Sequence, residues 1–222
     1  MQSQFKIDIV LFAALLTSGC DNPGALGAIS PDAQLTGTIE GWTEGSGYKL
    51  AATIVTFPVS TVPLSTGTVD ATGRFTISLP TQEAVTPRLA DAPQLGGGFG
   101  NCSARPEIKP MELKTAYLFL TAQKSGAADI SIVLTNVQKG NNPTRSDTGV
   151  TFLYADRSGS ITGKSSCDTG GDTTSIEYAL NLQEGWNSVL ASYQSTSLPP
   201  TQASGTKLAT GLIPTDVKWR KM

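Results

Sequence analysis

Histidine is absent from the 222 residues, and its absence removes several chemistries before any other residue is considered. A Ser-His-Asp triad, a Cys-His pair, an imidazole zinc site and a histidine pH switch all need the missing ring. Carboxylates, lysines, hydroxyls, three cysteines and three tryptophans remain. Two carboxylates flanking a glycosidic bond can hydrolyse it, and Glu40, Glu44, Glu107, Glu112, Glu177 and Glu184 are the candidates. Their spacing singles out no pair, so they read as solvated surface charge. Asp147, Asp156, Asp168 and Asp172 stand in loops with Gly, Ser and Asn, the oxygen-rich surroundings a hard cation uses. No stretch follows the twelve-residue calcium loop, and such loops are ordinary turn chemistry. Gly163-Lys164-Ser165 has the ending of a phosphate-binding loop, but Ser158 stands where its first glycine belongs. No catalytic residue, metal ligand or cofactor is assigned, and the reading is of a protein that is not an enzyme.

Among the aromatics, Trp186 and Trp219 read as core residues, Trp219 because it alternates with Val217. Trp42 borders the loop Thr43–Gly47 and is the candidate for an exposed ring that stacks on a ligand. The closing Lys218, Arg220 and Lys221 read as charges that keep an edge strand from pairing, in preference to contacts with anionic headgroups. The chain carries 18 acidic and 16 basic residues, a balance that gives no electrostatic reason to expect nucleic acid.

The N-terminus carries the strongest signal. Lys6 lies in a short polar start, the apolar stretch Ile9–Leu16 follows, and small residues precede Cys20. This is the layout of a secretory signal, too short for a membrane-spanning helix. The ending Leu16-Thr17-Ser18-Gly19-Cys20 resembles the lipobox of bacterial lipoproteins, with Thr17 where the family prefers Leu. The resemblance implies a signal peptide over 1–19 and a Cys20 thiol that takes a diacylglyceryl thioether, followed by further acylation such as palmitate. It implies an exported protein of the bacterial cell envelope, anchored in a membrane and facing the periplasm or the cell surface. With Cys20 given to lipid, Cys102 and Cys167 are left as an even pair in an oxidising compartment, where a disulfide is expected. Residues 20–33 then read as the lipidated cysteine and a flexible tether, and the folded part is expected to start near Gln34.

The body that must position these groups reads as strands. Leu35–Trp42, Tyr48–Phe57, Gly67–Leu79, Ala116–Ala122, Ile130–Val137 and Val150–Ala155 are β-branched or alternate apolar with polar residues. Gly159–Thr162, Ile176–Leu182, Trp186–Tyr193 and Asp216–Arg220 do the same. Asp70-Ala71-Thr72-Gly73 suits a tight hairpin turn. A helical turn at Gln82–Val85 is weighed against a long ordered loop, and the loop is preferred. Leu198–Gln202 reads as a Pro-rich loop. Many short strands between turn signals predict an all-β fold, an antiparallel β-sandwich with two packed sub-domains as a variant and little or no helix. Residues 34–92 form its N-terminal part, 93–110 a Gly/Pro-rich connection and 111–222 its C-terminal part.

Within this body, LTGTIEG and TVDATGRFTISLP resemble the transthyretin-like or carboxypeptidase-regulatory β-sandwich of envelope proteins, over residues 35–80 only. The later blocks VTFLYADRSGSITG and YALNLQEGWNSV resemble strand pairs of uncharacterised envelope lipoproteins. Together the readings describe a lipid-anchored, non-catalytic structural or interaction module with an envelope protein or glycan as partner. A lipoprotein that binds glycan or lipid is the alternative, and an envelope hydrolase the third choice.

Overall fold

Alternation along the sequence becomes alternation of faces in space. In the segment Arg74–Ser78, Phe75 and Ile77 are buried while Arg74, Thr76 and Ser78 are exposed, the period-two pattern of a strand with one wet face. A computed structural model of the chain describes residues 27–30, 33–54, 63–92, 101–102, 104–137, 144–168, 173–198 and 201–222.

The first strands are β1 (Ala28–Ile29), β2 (Gln34–Glu40), β3 (Tyr48–Ile54), β4 (Ser65–Val69) and β5 (Arg74–Ser78). Short pieces follow: β6 (Ala90–Asp91), β7 (Asn101–Cys102) and β8 (Glu107–Lys109). Then come β9 (Lys114–Gln123), β10 (Ile130–Thr135), β11 (Thr144–Ala155), β12 (Gly159–Asp168) and β13 (Thr173–Leu182). The last are β14 (Gly185–Leu198), β15 (Thr201–Thr210) and β16 (Lys218–Lys221). The fold is all-β. Its α-helix α1 (Gln82–Val85) runs into a 3₁₀ turn at Thr86–Arg88. The loop expected at 82–85 is thus a helical turn, held by Val85, which is fully buried.

Eight strands close on themselves in the order β9-β3-β4-β5-β2-β16-β10-β11, with β11 returning to β9. The expected sandwich is corrected to a closed barrel with an attached sheet. Alternation decides which face a residue takes, but not whether first and last strands meet. Here β16 makes the meeting, parallel to β2 on one edge and antiparallel to β10 on the other. Its cations therefore do not guard an edge, because β16 has a neighbour on each side. Beyond the barrel, β14, β15, β13 and β12 continue the sheet from β11, and β15 runs parallel to β13.

Strands β11 and β14 are shared by two hydrophobic cores. Phe152, Tyr154 and Trp186 face the barrel interior with Leu50, Phe75 and Ile77. Leu153, Ala155 and Val189 face a second core with Ile161, Tyr178 and Leu180. A strand buried on both faces cannot show polar alternation, and the VTFLYA run of β11 is continuous for that reason. Both cores draw residues from either side of the 93–110 connection.

The buried polar residues of this shared wall, Asn187 and Ser188, are both hydrogen-bonded. Asn187, 1 % exposed, donates from Nδ2 to the carbonyls of Gln183 (2.8 Å) and Gly185 (3.0 Å) and accepts at Oδ1 from the Gln183 amide (2.9 Å). The Trp186 indole donates to Pro80 O at 3.0 Å. The Ser188 hydroxyl lies 2.6 Å from Gly211 O and 3.2 Å from Gly27 O. Ser188 N also donates to Gly27 O at 2.8 Å. The chain is therefore part of the fold from Gly27, before the expected start at Gln34, because β1 pairs with β14.

Candidate functional site

Strand β2 is bonded differently on its two edges. Toward β5 it forms a continuous antiparallel ladder from Gln34↔Ser78 to Thr38↔Arg74. Ile39 N donates to Gly73 O (2.9 Å) and Leu79 N donates to Ala33 O (3.1 Å). Bonded residues alternate in such a ladder, so the odd-numbered residues of β2 bond β5, and the backbone of Gln34 and Thr36 points to the opposite edge. There β16 pairs only with Ile39 and Glu40. Among the described residues no backbone hydrogen bond joins 34–37 to the strap 211–217 that runs alongside.

The gap is a groove of about 530 Å³. Leu35, Leu134, Phe152, Val217 and Trp219 form its apolar floor. Gln34, Thr36, Thr38 and Lys218 supply polar groups, and Ile213 and Pro214 form the outer wall. Trp219 is partly buried and packed against the barrel core. Its ring meets Phe75 edge-on at 5.1 Å and stacks near Phe152 at 6.3 Å. The indole fits because Gly37 lies beneath it: a Cβ there would come within 2.3 Å of Trp219 Cδ1.

Ion pairs pin β16 where it does meet β2. Arg220 Nη2 is 2.6 Å from Glu40 Oε2. Lys221 Nζ donates to Glu44 and to Thr43 Oγ1, and its hydrogen bond and charge hold the Glu44 carboxyl below the usual range. These contacts close the seam at one end and leave the Gln34–Thr36 stretch open.

The residues singled out by sequence fall in separate places. Trp42 is 9 % exposed, packs edge-on against Tyr48 at 5.1 Å and donates from Nε1 to Gly45 O at 3.0 Å. The exposed stacking ring expected at Trp42 is corrected: the loop folds back and covers it. Trp219, read as core, is the tryptophan that reaches the groove. Cys20 and the whole leader lie outside the described residues, as do Asp172, Gly96–Gly100 and Pro199–Pro200. Cys102 and Cys167 are brought together in register, directly opposite each other across the antiparallel pair of β7 and β12.

Gly163, Lys164 and Ser165 sit within β12, and Ser165 Oγ donates to Ala104 O at 2.9 Å; no phosphate loop is present at these residues. Asp156 is committed to the Lys114 amide and the Arg157 guanidinium. Among the described residues, no three Cys, Asp or Glu gather as a metal site. Glu107 pairs with Lys109, and Glu177 with Lys207. Tyr117 and Tyr178 belong to the second core, where burial pushes both phenols above their ordinary range.

Sequence reasoning missed the seam. Gln34, Thr36 and Thr38 carry no distinctive chemistry, and only their backbones matter. The sequence does hold one signal: Leu212-Ile213-Pro214 is an apolar run ending in proline, outside any alternating pattern. Among the described residues, no helix is long and apolar enough to cross a membrane. Searches against family models, curated proteins and solved structures find no match for this chain.

Proposed function

We propose that this chain is a lipid-anchored, non-catalytic interaction module of the bacterial cell envelope, tethered through Cys20 and engaging a protein partner at the β2–β16 seam. The observation that carries the reading is the open edge of β2 above an apolar floor. Unpaired strand backbone is a ready template for an extended partner segment, whose main chain supplies hydrogen bonds while alternate side chains reach the floor. The lipobox-like ending at Cys20 supports the anchor and the export.

A photo-crosslinking residue placed at Thr36 of the full chain, expressed in its own host, tests the reading. A discrete protein adduct is expected, and it should vanish when Gly37→Val displaces the Trp219 ring. Absence of any adduct at Thr36, with the chain present in the envelope, would count against it. The alternative of a glycan or lipid ligand is favoured by the partly exposed Trp219 ring over Phe152. Titrating the intrinsic fluorescence with glycans and lipids separates the two, since only a groove ligand moves the Trp219 emission.

The same reading includes a Cys102–Cys167 disulfide. Residues directly opposite in an antiparallel pair have Cα atoms about 4.5–5.5 Å apart, inside the span a disulfide bridges. Closing that long loop stabilises by roughly 4 kcal/mol in the chain-entropy model. Intact mass under non-reducing conditions should fall about 2 Da below the reduced value, one hydrogen per thiol lost on forming the S–S bond.

A further inference from the structure

The point at which the chain enters the fold also carries exposed apolar residues. Ser188 N donates to Gly27 O, and Gly211 N donates to Ser188 O at 3.4 Å, so Gly27 and the strap meet on one residue. The residue after Gly211, Leu212, is 72 % exposed, and Ile213 is 44 % exposed. Ile213 is also a wall of the groove, beside the exposed Lys218.

We infer that this end of the barrel is a bilayer-contact surface, in which Leu212 and Ile213 enter the boundary between headgroups and acyl chains. The inference rests on the proposed anchor at Cys20. Roughly seven peptide units separate Cys20 from Gly27; fully extended they reach about 25 Å, and as a flexible coil about 15 Å on average. The Gly27 end is thereby the part of the fold held nearest the membrane. The opposite end is far by comparison. Ser188 pairs with Phe152, the neighbouring Leu153 pairs with Tyr117, and β9 then runs to the turn after Gln123. Ser125 in that turn lies roughly 26 Å further along the strand direction at the usual rise, and residues 124–129 are all exposed.

Apolar side chains presented at a tethered surface partition into the interface in proportion to the area they bury. A bilayer is the occupant that the tether length itself supplies. The groove, which shares Ile213, then opens beside the membrane, so its partner segment is one that comes close to the bilayer surface.

The test uses the full lipidated chain in vesicles of phosphatidylethanolamine and phosphatidylglycerol carrying brominated acyl chains. Leu212→Trp and Ser125→Trp are compared after subtraction of the fluorescence of the unsubstituted chain. Quenching at position 212 should exceed that at 125 by about threefold or more, given a depth difference of some 26 Å along the strand. Mass spectrometry of the N-terminal peptide is run on the same samples. Equal quenching on a chain shown to be lipidated overturns the bilayer contact alone and leaves the anchor standing. An unmodified Cys20 overturns the anchor and the contact with it.

Discussion

The wall formed by β11 and β14 and the seam between β2 and β16 treat polar groups in opposite ways. In the wall, Asn187 and Ser188 are nearly inaccessible, and both side-chain polar atoms of Asn187 have partners. In the seam, the backbone of Gln34 and Thr36 faces a groove and has no partner strand among the described residues. Buried polar groups without partners are costly, so Asn187 and Ser188 spend their hydrogen bonds within the fold. The seam leaves its hydrogen-bonding groups at the surface, open to water and, under the proposed function, to a partner segment. The difference separates what holds the fold from what the fold offers.

The strongest way to break this contrast is to remove polarity from the wall. Asn187→Leu preserves size but takes the side-chain partner from the half-buried Gln183 amide and Gln183 and Gly185 carbonyls. Because these groups are half-buried, the loss should be about 1–3 kcal/mol, that of a single unsatisfied buried group, read as a lowered denaturation midpoint. A neutral result would mean that water reaches the wall. Gly37→Val acts on the seam. Its Cβ collides with Trp219 Cδ1, and overpacking of this kind costs about 1–3 kcal/mol. The expected signature is a red-shifted Trp219 emission as the ring swings outward, together with loss of crosslinking at Thr36. Ser188→Ala returns to the wall with a smaller effect, about 1–2 kcal/mol for one hydrogen bond and two less satisfied carbonyls. Hydrogen exchange should show it as faster exchange of the Gly211 amide, since Ser188 ties Gly27 to the strap.

Much of the fold was legible in local sequence, and the reason is visible in particular strands. Asp70–Gly73 forms its expected turn because the information is entirely local: Asp70 Oδ1 accepts from Thr72 N (2.8 Å), Thr72 Oγ1 (2.7 Å) and Arg74 N (3.0 Å), and Gly73 takes φ +82°. Strand β15 was missed because TQASGTKLAT has few apolar residues. It forms between β14 and β13, whose backbones it completes, and a strand recruited by two neighbours needs little pattern of its own. Closure of the barrel was equally invisible, since the four residues of β16, late in the chain, join β2 near its start to β10 at its middle. The groove inherits that problem: it exists where β16 stops pairing, a property of register with no residue type to mark it. Trp42 shows the converse error. A tryptophan beside a glycine-rich loop suggested exposure, but Gly45 supplies the carbonyl that its indole needs, and the loop closes over the ring.

Acid offers a finer test, because wall and seam are held by different forces. Nothing in the Trp186–Ser188 stretch titrates, whereas β16 is pinned beside the seam by Lys221 on Glu44. Lys221 lowers the Glu44 pKa, so the folded state binds the Glu44 proton more weakly than the unfolded chain does. The pair's contribution is therefore full above the ordinary glutamate value of about 4.3 and is lost as pH falls through the lowered folded value. On acidification below about pH 4.3, the end of β16 should loosen and Trp219 emission should change before any exchange protection in β14 is lost. Glu44→Gln should weaken that early step, leaving β16 held by the Arg220–Glu40 pair, while high salt at neutral pH should imitate it in part by screening the pairs. If Trp219 and the β14 amides respond at one pH in the unsubstituted chain, seam and wall open together, and the seam is then as rigid a part of the fold as the wall.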